Sequence, residues 1–215
     1  MKTLQSPYLR VNTKNGTAYG GNQAWFSYKF LQKTGCGVIG AADTLLHLSG
    51  KEEMTEEEYM EFAKTLWKKF LPVIPGFGMN GLTLMAGMNR YFKVHGMPYR
   101  ARWRISGQKM VSRIDKMLAK DIPVILAVGP NFPFVWKKEK LTFYTKMSDG
   151  KYVPAVKTRA HFVTVTGREG VYLQISSWGK EYYIDIREYK EYVKQYSNPL
   201  VSNILSIKMK KKNAR

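Results

Sequence analysis

The chain has 215 residues, 44% of them hydrophobic and 24% charged, enough for a sizeable core in one domain. A single cysteine excludes an intramolecular disulfide framework and a cysteine-rich zinc site. The formal net charge of +19 raises the question of an anionic partner, but the lysines are dispersed. The one dense run, "KMKKKNAR", is the C-terminal tail, and no nucleic-acid-binding motif accompanies it, so nucleic acid is not the expected partner. No apolar run is long enough for a signal peptide or approaches the ~18 residues of a membrane span, so no span and a cytoplasmic location are expected.

Residues 1–35 are rich in Gly, Asn, Thr and aromatics and read as an extended or irregular N-terminal segment. From Gly37 to Leu48 the pattern "VIGAADTLLHL" is helical and Gly50 closes it. Gly40, Ala41 and Ala42 would let this helix pack closely on a neighbour. In "MTEEEYMEFAKTLWKKF", Thr55 and Glu58 form a capping box, with glutamates leading and lysines trailing. That acidic cluster therefore reads as a helix start, and no metal or cofactor is expected. "GLTLMAGMNRYFKVHG" predicts a third helix and "SGQKMVSRIDKMLAK" a fourth, with Ser106 or Gly107 near its cap. At "DIPVILAVG" the period becomes strand-like. "LTFYTKM", "KYVPAVK", "HFVTVTG", "VYLQISSW", "EYYIDI" and "SNILSIK" follow as strands, with a short helix over 188–196. A helical half (36–120) before an antiparallel sheet half (121–215), in one domain over 1–215, argues an α+β fold.

The lone cysteine, Cys36, lies between Gly35 and Gly37 at the start of a helix, where free N–H groups and the dipole favour a thiolate. A nucleophilic cysteine needs a base, and reach sorts the three histidines. His47 lies eleven residues along the same helix, about 16 Å away, and reads as partly exposed. His95 ends a helix and serves its C-terminus. His161 opens a strand on a separate element. Only "REG" separates that strand from the next, and a tight hairpin there makes paired residues sum to 337, placing His161 opposite Ser176.

Together these pieces resemble the papain-like cysteine peptidases. "GCGVIGAADTLLHL" resembles the cysteine-bearing helix, "HFVTVTG" the histidine strand and "ISSWG" the Asn-Ser-Trp-Gly motif. The order of "MLAKDIPVILAVG" and "HFVTVTG" resembles bacterial peptidases related to bacteriocin-processing enzymes. The resemblance implies Cys36 as nucleophile, His161 as base, Ser176 in place of the family's Asn or Asp, and Trp178 as the tryptophan shielding the histidine. Asp149 and Asp185 are further candidates to orient the histidine. Gln32, four residues before Cys36, is the candidate oxyanion glutamine, with Gln23 thirteen before. Gly35 and Gly37 are expected to leave the backbone open to a peptide or amide substrate, alongside Trp178. The implied function is that of a cysteine peptidase or related thiol-dependent amide hydrolase or acyl transferase. The rival expectation is a catalytically weak fold of this type used as a binding module, with an anionic partner as one candidate.

Overall fold

The computed structural model describes residues 1–76, 78–104, 109–133 and 136–210. In chain order its elements are β1 (Lys2–Thr3), β2 (Arg10–Thr13), β3 (Gly16–Tyr19), a 3-10 turn (Gln23–Trp25), α1 (Lys29–Thr34) and α2 (Cys36–Leu48). Then come β4 (Glu53–Thr55), α3 (Glu56–Lys69), α4 (Gly81–Val94), β5 (Tyr99–Trp103) and α5 (Met110–Leu118). The remainder is β6 (Val124–Val128), β7 (Leu141–Lys146), β8 (Tyr152–Thr158), β9 (His161–Glu169), β10 (Tyr172–Ser177), β11 (Lys180–Asp185), α6 (Ile186–Tyr196) and β12 (Ile204–Met209). The fold is α+β. A large antiparallel sheet runs in the order β5-β12-β6-β9-β10-β11-β7-β8, with β1 paired to β9. A small second sheet has the order β3-β2-β4.

The strands expected from the alternating pattern all form, and so do the helices. Thr55 accepts from the Glu58 N–H while the Glu58 carboxylate accepts from the Thr55 N–H, the capping box that starts α3. Asn80 caps α4 through the Thr83 N–H at 2.9 Å. The Ser106 or Gly107 cap expected for α5 lies outside the described residues, as does the end of the basic tail. The N-terminal segment is extended in part. It contributes β1 to the large sheet, while its β2–β3 hairpin pairs with β4 to form the small one. The partners of β1 lie far along the chain, at Gly167 and Arg168, so local periodicity does not reveal that pairing. No helix among the described residues is long and apolar enough to cross a membrane.

Helix α2 sits at the centre. Almost all of it is buried, and it packs on β9, β6, α3 and α4. Gly40 faces the sheet, where even an added Cβ would make ordinary contact. A Cβ there would stand 3.5 Å from Ile125 and 3.6 Å from Thr164. Val38, Leu45, Leu66, Leu84, Val163, Val165 and Ile175 join one core that runs across helices and sheet. Burying such side chains contributes about 1.5–3 kcal/mol each, which is the main force holding α2 in place.

One buried carboxylate fastens α2 to three other parts of the chain. Asp43 accepts from the Tyr8 hydroxyl at 2.8 Å, the Tyr59 hydroxyl at 2.6 Å and the Gly21 N–H at 3.0 Å. Ser176 Oγ is 3.4 Å from the same group. Burial pushes the Asp43 carboxyl up, and these donors offset only part of that rise. Donors on every side suit the ionised form, which only accepts.

Candidate functional site

Cys36 is the first residue of α2 and is buried. Gly35, the residue before it, supplies no side-chain cap, so the first-turn amides lack a protein acceptor of that kind. The thiol lies against the backbone N–H groups of Phe162, Gly37 and Cys36 itself. Burial pushes its pKa up, while those amides pull toward the thiolate. The net direction is upward, so the resting group is a thiol, contrary to the activated thiolate that its helix position suggests.

His161 opens β9 and is buried. Its Nε2 is 2.8 Å from Ser177 Oγ. The Trp178 indole covers its ring, with centroids 4.4 Å apart and planes 14° from parallel. Burial lowers its pKa to about 3, so the imidazole is neutral near pH 7. Cys36 and His161 line the same cavity of about 10 Å³, together with Gln23, Gly40, Asp43, Thr164, Ser176 and Ser177. That volume is about one water molecule. No hydrogen bond joins the thiol to the imidazole in this resting state, in which both groups are neutral. Catalytic hydrogen bonds commonly tighten only once substrate is bound.

The hairpin register corrects the expected partner of His161. The turn is the two residues Gly170 and Val171, so that Glu169 pairs with Tyr172. A bulge between Gln174 and Ile175 then shifts the ladder by one, and Ser176 pairs with Thr164. Ser176 is therefore not opposite His161. Its hydroxyl donates to Tyr19 O at 2.8 Å and faces Asp43. Neighbours on a strand point to opposite faces, so Ser177 is the residue that turns toward the histidine. Asp149 is held by Lys151 in the β7–β8 turn, and Asp185 caps α6 and holds Arg187, so neither orients His161.

Trp178 is placed by backbone strain. Ser177 pairs with Lys180, which leaves Trp178 and Gly179 as a two-residue turn with φ of 51° and 72°. Positive φ at both central positions is the geometry of a type I′ hairpin turn. Glycine suits it, but a tryptophan in the left-handed region costs about 1–2 kcal/mol. The turn is pinned by hydrogen bonds from the Gly179 N–H to Gly21 O and from the Tyr19 N–H to Gly179 O. Ala160, on the other side of His161, is also left-handed, with φ of 51°. One strained non-glycine residue thus stacks on the imidazole and another precedes His161 in the chain, a pattern typical of functional sites.

The structure brings Gln23, and not Gln32, to the cavity beside Cys36. Gln32 is exposed, and its side-chain N–H donates to Phe26 O at 2.7 Å, so it does not line the cavity. Gln23, at the start of the 3-10 turn, does line it and donates to Gln32 O at 2.7 Å. The intervening helix α1 folds the chain back, so thirteen residues of separation end beside Cys36. The two glycines serve packing and do not open the backbone to substrate. A Cβ on Gly35 would stand 2.5 Å from Leu31 O, and one on Gly37 would stand 3.3 Å from the Phe162 ring and 3.5 Å from the Met79 sulfur.

The other histidines lie elsewhere. His47 is buried, against the expectation of partial exposure, with Nε2 3.2 Å from Asp121 Oδ1. His95 ends α4 and stacks on Tyr91 at 4.0 Å. Ser177 was not signalled by the motif, whose polar residue aligns with Ser176. The Gly170–Val171 turn and the bulge after Gln174 fix the register that brings Ser177 to the histidine's face. Comparison with protein-family models, with curated proteins and with solved structures gives no match.

Proposed function

We propose that the chain is a papain-like cysteine peptidase or a related thiol-dependent amide hydrolase or acyl transferase, acting through Cys36 and His161. The observation that carries this reading is a helix-start cysteine facing backbone amides in one cavity with a histidine that is both stacked and hydrogen-bonded. A histidine kept merely for packing requires neither a strained tryptophan over it nor a hydroxyl on its ring nitrogen.

The chemistry follows from that arrangement. As substrate enters, His161 takes the Sγ proton and the thiolate attacks the substrate carbonyl carbon. The carbonyl oxygen becomes an oxyanion, which the Cys36 N–H and the Gln23 amide stabilise, each such donor contributing about 3 kcal/mol. His161 then gives its proton to the leaving amine, and a thioester on Cys36 remains. Water, or another amine acceptor, attacks the thioester and regenerates the thiol. Ser177 holds the ring orientation throughout. Trp178 excludes water from its face and keeps the imidazole weakly basic until the pair forms. No metal or cofactor enters these steps.

A second reading, a binding module that has lost activity, is favoured by one observation. The resting pair is neutral, and its orienting group is a hydroxyl where the family has an amide or carboxylate. Incubation with a complex peptide mixture, followed by mass spectrometry of new termini and thioester or transfer products, separates the two. The enzyme reading expects products from the intact chain and none from Cys36→Ala. Identical profiles for both proteins favour the binding module.

A further inference from the structure

At the β5 end of the large sheet, one face carries a row of cations. Arg100 and Arg102 are exposed and alternate with the buried Ala101 and Trp103. Lys208 of β12 stands directly opposite Arg100, and Ser206 stands opposite Arg102. Arg104 continues the row, its Nε–H donating to Ser206 Oγ at 2.8 Å, and Arg113 of α5 lies close by. Among the described residues, the carboxylates in ion pairs hold other partners, and none pairs with Arg100, Arg102, Arg104 or Lys208. Opposed like charges such as Arg100 and Lys208 are destabilising in a sheet.

Exposed charges often guard an edge strand against pairing with another chain. That duty is already filled here. Asn89 of α4 donates to Ala101 O and accepts from the Ala101 N–H, both at 2.9 Å, and the Trp103 N–H meets the Met85 sulfur at 3.1 Å. Helix α4 therefore closes the edge, and the cations serve some other purpose. The face also lacks rings on which bases could stack. Tyr99 and Trp103 alternate with the arginines and project to the other side, toward Phe92 and Gly81. Alternate residues of a strand stand about 6.6–6.8 Å apart. An extended polypeptide with acidic side chains at every second position has the same repeat.

We propose that the β5–β12 face binds an extended acidic polypeptide segment, whose alternating carboxylates pair with Arg104, Arg102 and Arg100 beside Lys208. The inference concerns binding and holds whether or not the thiol is catalytic.

The test is fluorescence anisotropy with a labelled peptide of alternating Glu and Ser at near-physiological salt. Single-stranded DNA and phosphatidylserine vesicles are measured in parallel. The intact chain and Cys36→Ala bind the peptide alike. The combined variant R100S, R102S and K208S loses about tenfold in affinity, as expected for three exposed pairs. The combined variant K14S, K68S and K69S, of equal net charge, keeps the affinity of the intact chain. Failure to bind the peptide, tighter binding of DNA or vesicles than of peptide, or equal loss in both combined variants overturns the proposal.

Discussion

The Trp178 indole lies on the His161 imidazole, 4.4 Å between centroids and 14° from parallel, from a turn position that disfavours any residue but glycine. The stack and the strain make opposing predictions for two substitutions. Trp178→Gly relieves the left-handed backbone, whereas Trp178→Ala keeps that strain and loses the same ring. The glycine variant is expected to be more stable than the alanine variant by about 1 kcal/mol in urea unfolding. In both, the His161 pKa rises from about 3 toward the ordinary range in an NMR titration, because the covering ring is gone.

Adjacent serines have separate duties. Ser177→Ala removes the partner of His161 Nε2 and is expected to slow thiol chemistry by up to about tenfold, the equivalent of one neutral hydrogen bond. Ser177→Asn supplies a stronger acceptor and keeps or raises the rate. Ser176→Ala leaves the rate near that of the intact chain but lowers stability by about 1 kcal/mol, since its hydroxyl donates to Tyr19 O in the interior. Alkylation rates and urea midpoints for the three variants check this division. A rate loss at Ser176 equal to that at Ser177 would reverse it.

Gln23 and Gln32 separate the oxyanion from the nucleophile. Gln23→Ala is expected to lower amide turnover by about 10²–10³ while leaving alkylation of Cys36 by iodoacetamide almost unchanged, because alkylation forms no oxyanion. Gln32→Ala, which loses only its bond to Phe26 O, leaves both within about threefold. The measurement is a ratio of two rates for each protein, so partial unfolding, which lowers both, does not imitate the effect.

His161 also makes stability depend on pH. Its folded pKa, about 3, is below the unfolded value of about 6.5, so the unfolded chain binds the extra proton between those limits. Stability contributed by the neutral ring is complete above about pH 6.5 and falls as pH drops toward 3. Each unit of the window is worth about 1.4 kcal/mol at most. The melting temperature is expected to fall from pH 7 to pH 4, and His161→Gln to flatten that fall. Parallel curves for the two proteins would show that other groups set the slope.

Much of this was legible in the chain itself. The strands from "DIPVILAVG" to "SNILSIK" and the capping box at Thr55 are local signals, and each element formed where its pattern stood. The cysteine at a helix start and the histidine opening a strand were equally local. What the sequence hid is long-range. β1 and β5 find their partners about 165 and 105 residues away, and neither carries enough alternation to stand out. The histidine's partner was misplaced because a bulge and a two-residue turn each moved the register. Beside the histidine the observed pairs sum to 340 where 337 is expected, and an odd shift exchanges Ser176 for Ser177 on its face. Gln23 was passed over because spacing along the chain ignores the fold-back through α1. The upward shift of the Cys36 thiol depends on burial, which composition does not show.

The central claim, that His161 acts on Cys36, is tested most directly by the rate of Cys36 alkylation between pH 6 and 8 in the intact chain and in His161→Ala and His161→Gln. Circular dichroism confirms that each variant is folded. General-base assistance contributes about 10²–10⁴, so the intact chain is expected to react at least about a hundredfold faster than both variants, with His47→Ala and His95→Ala unchanged. Equal rates in the intact chain and the His161 variants would contradict the account and leave Cys36 a buried structural thiol.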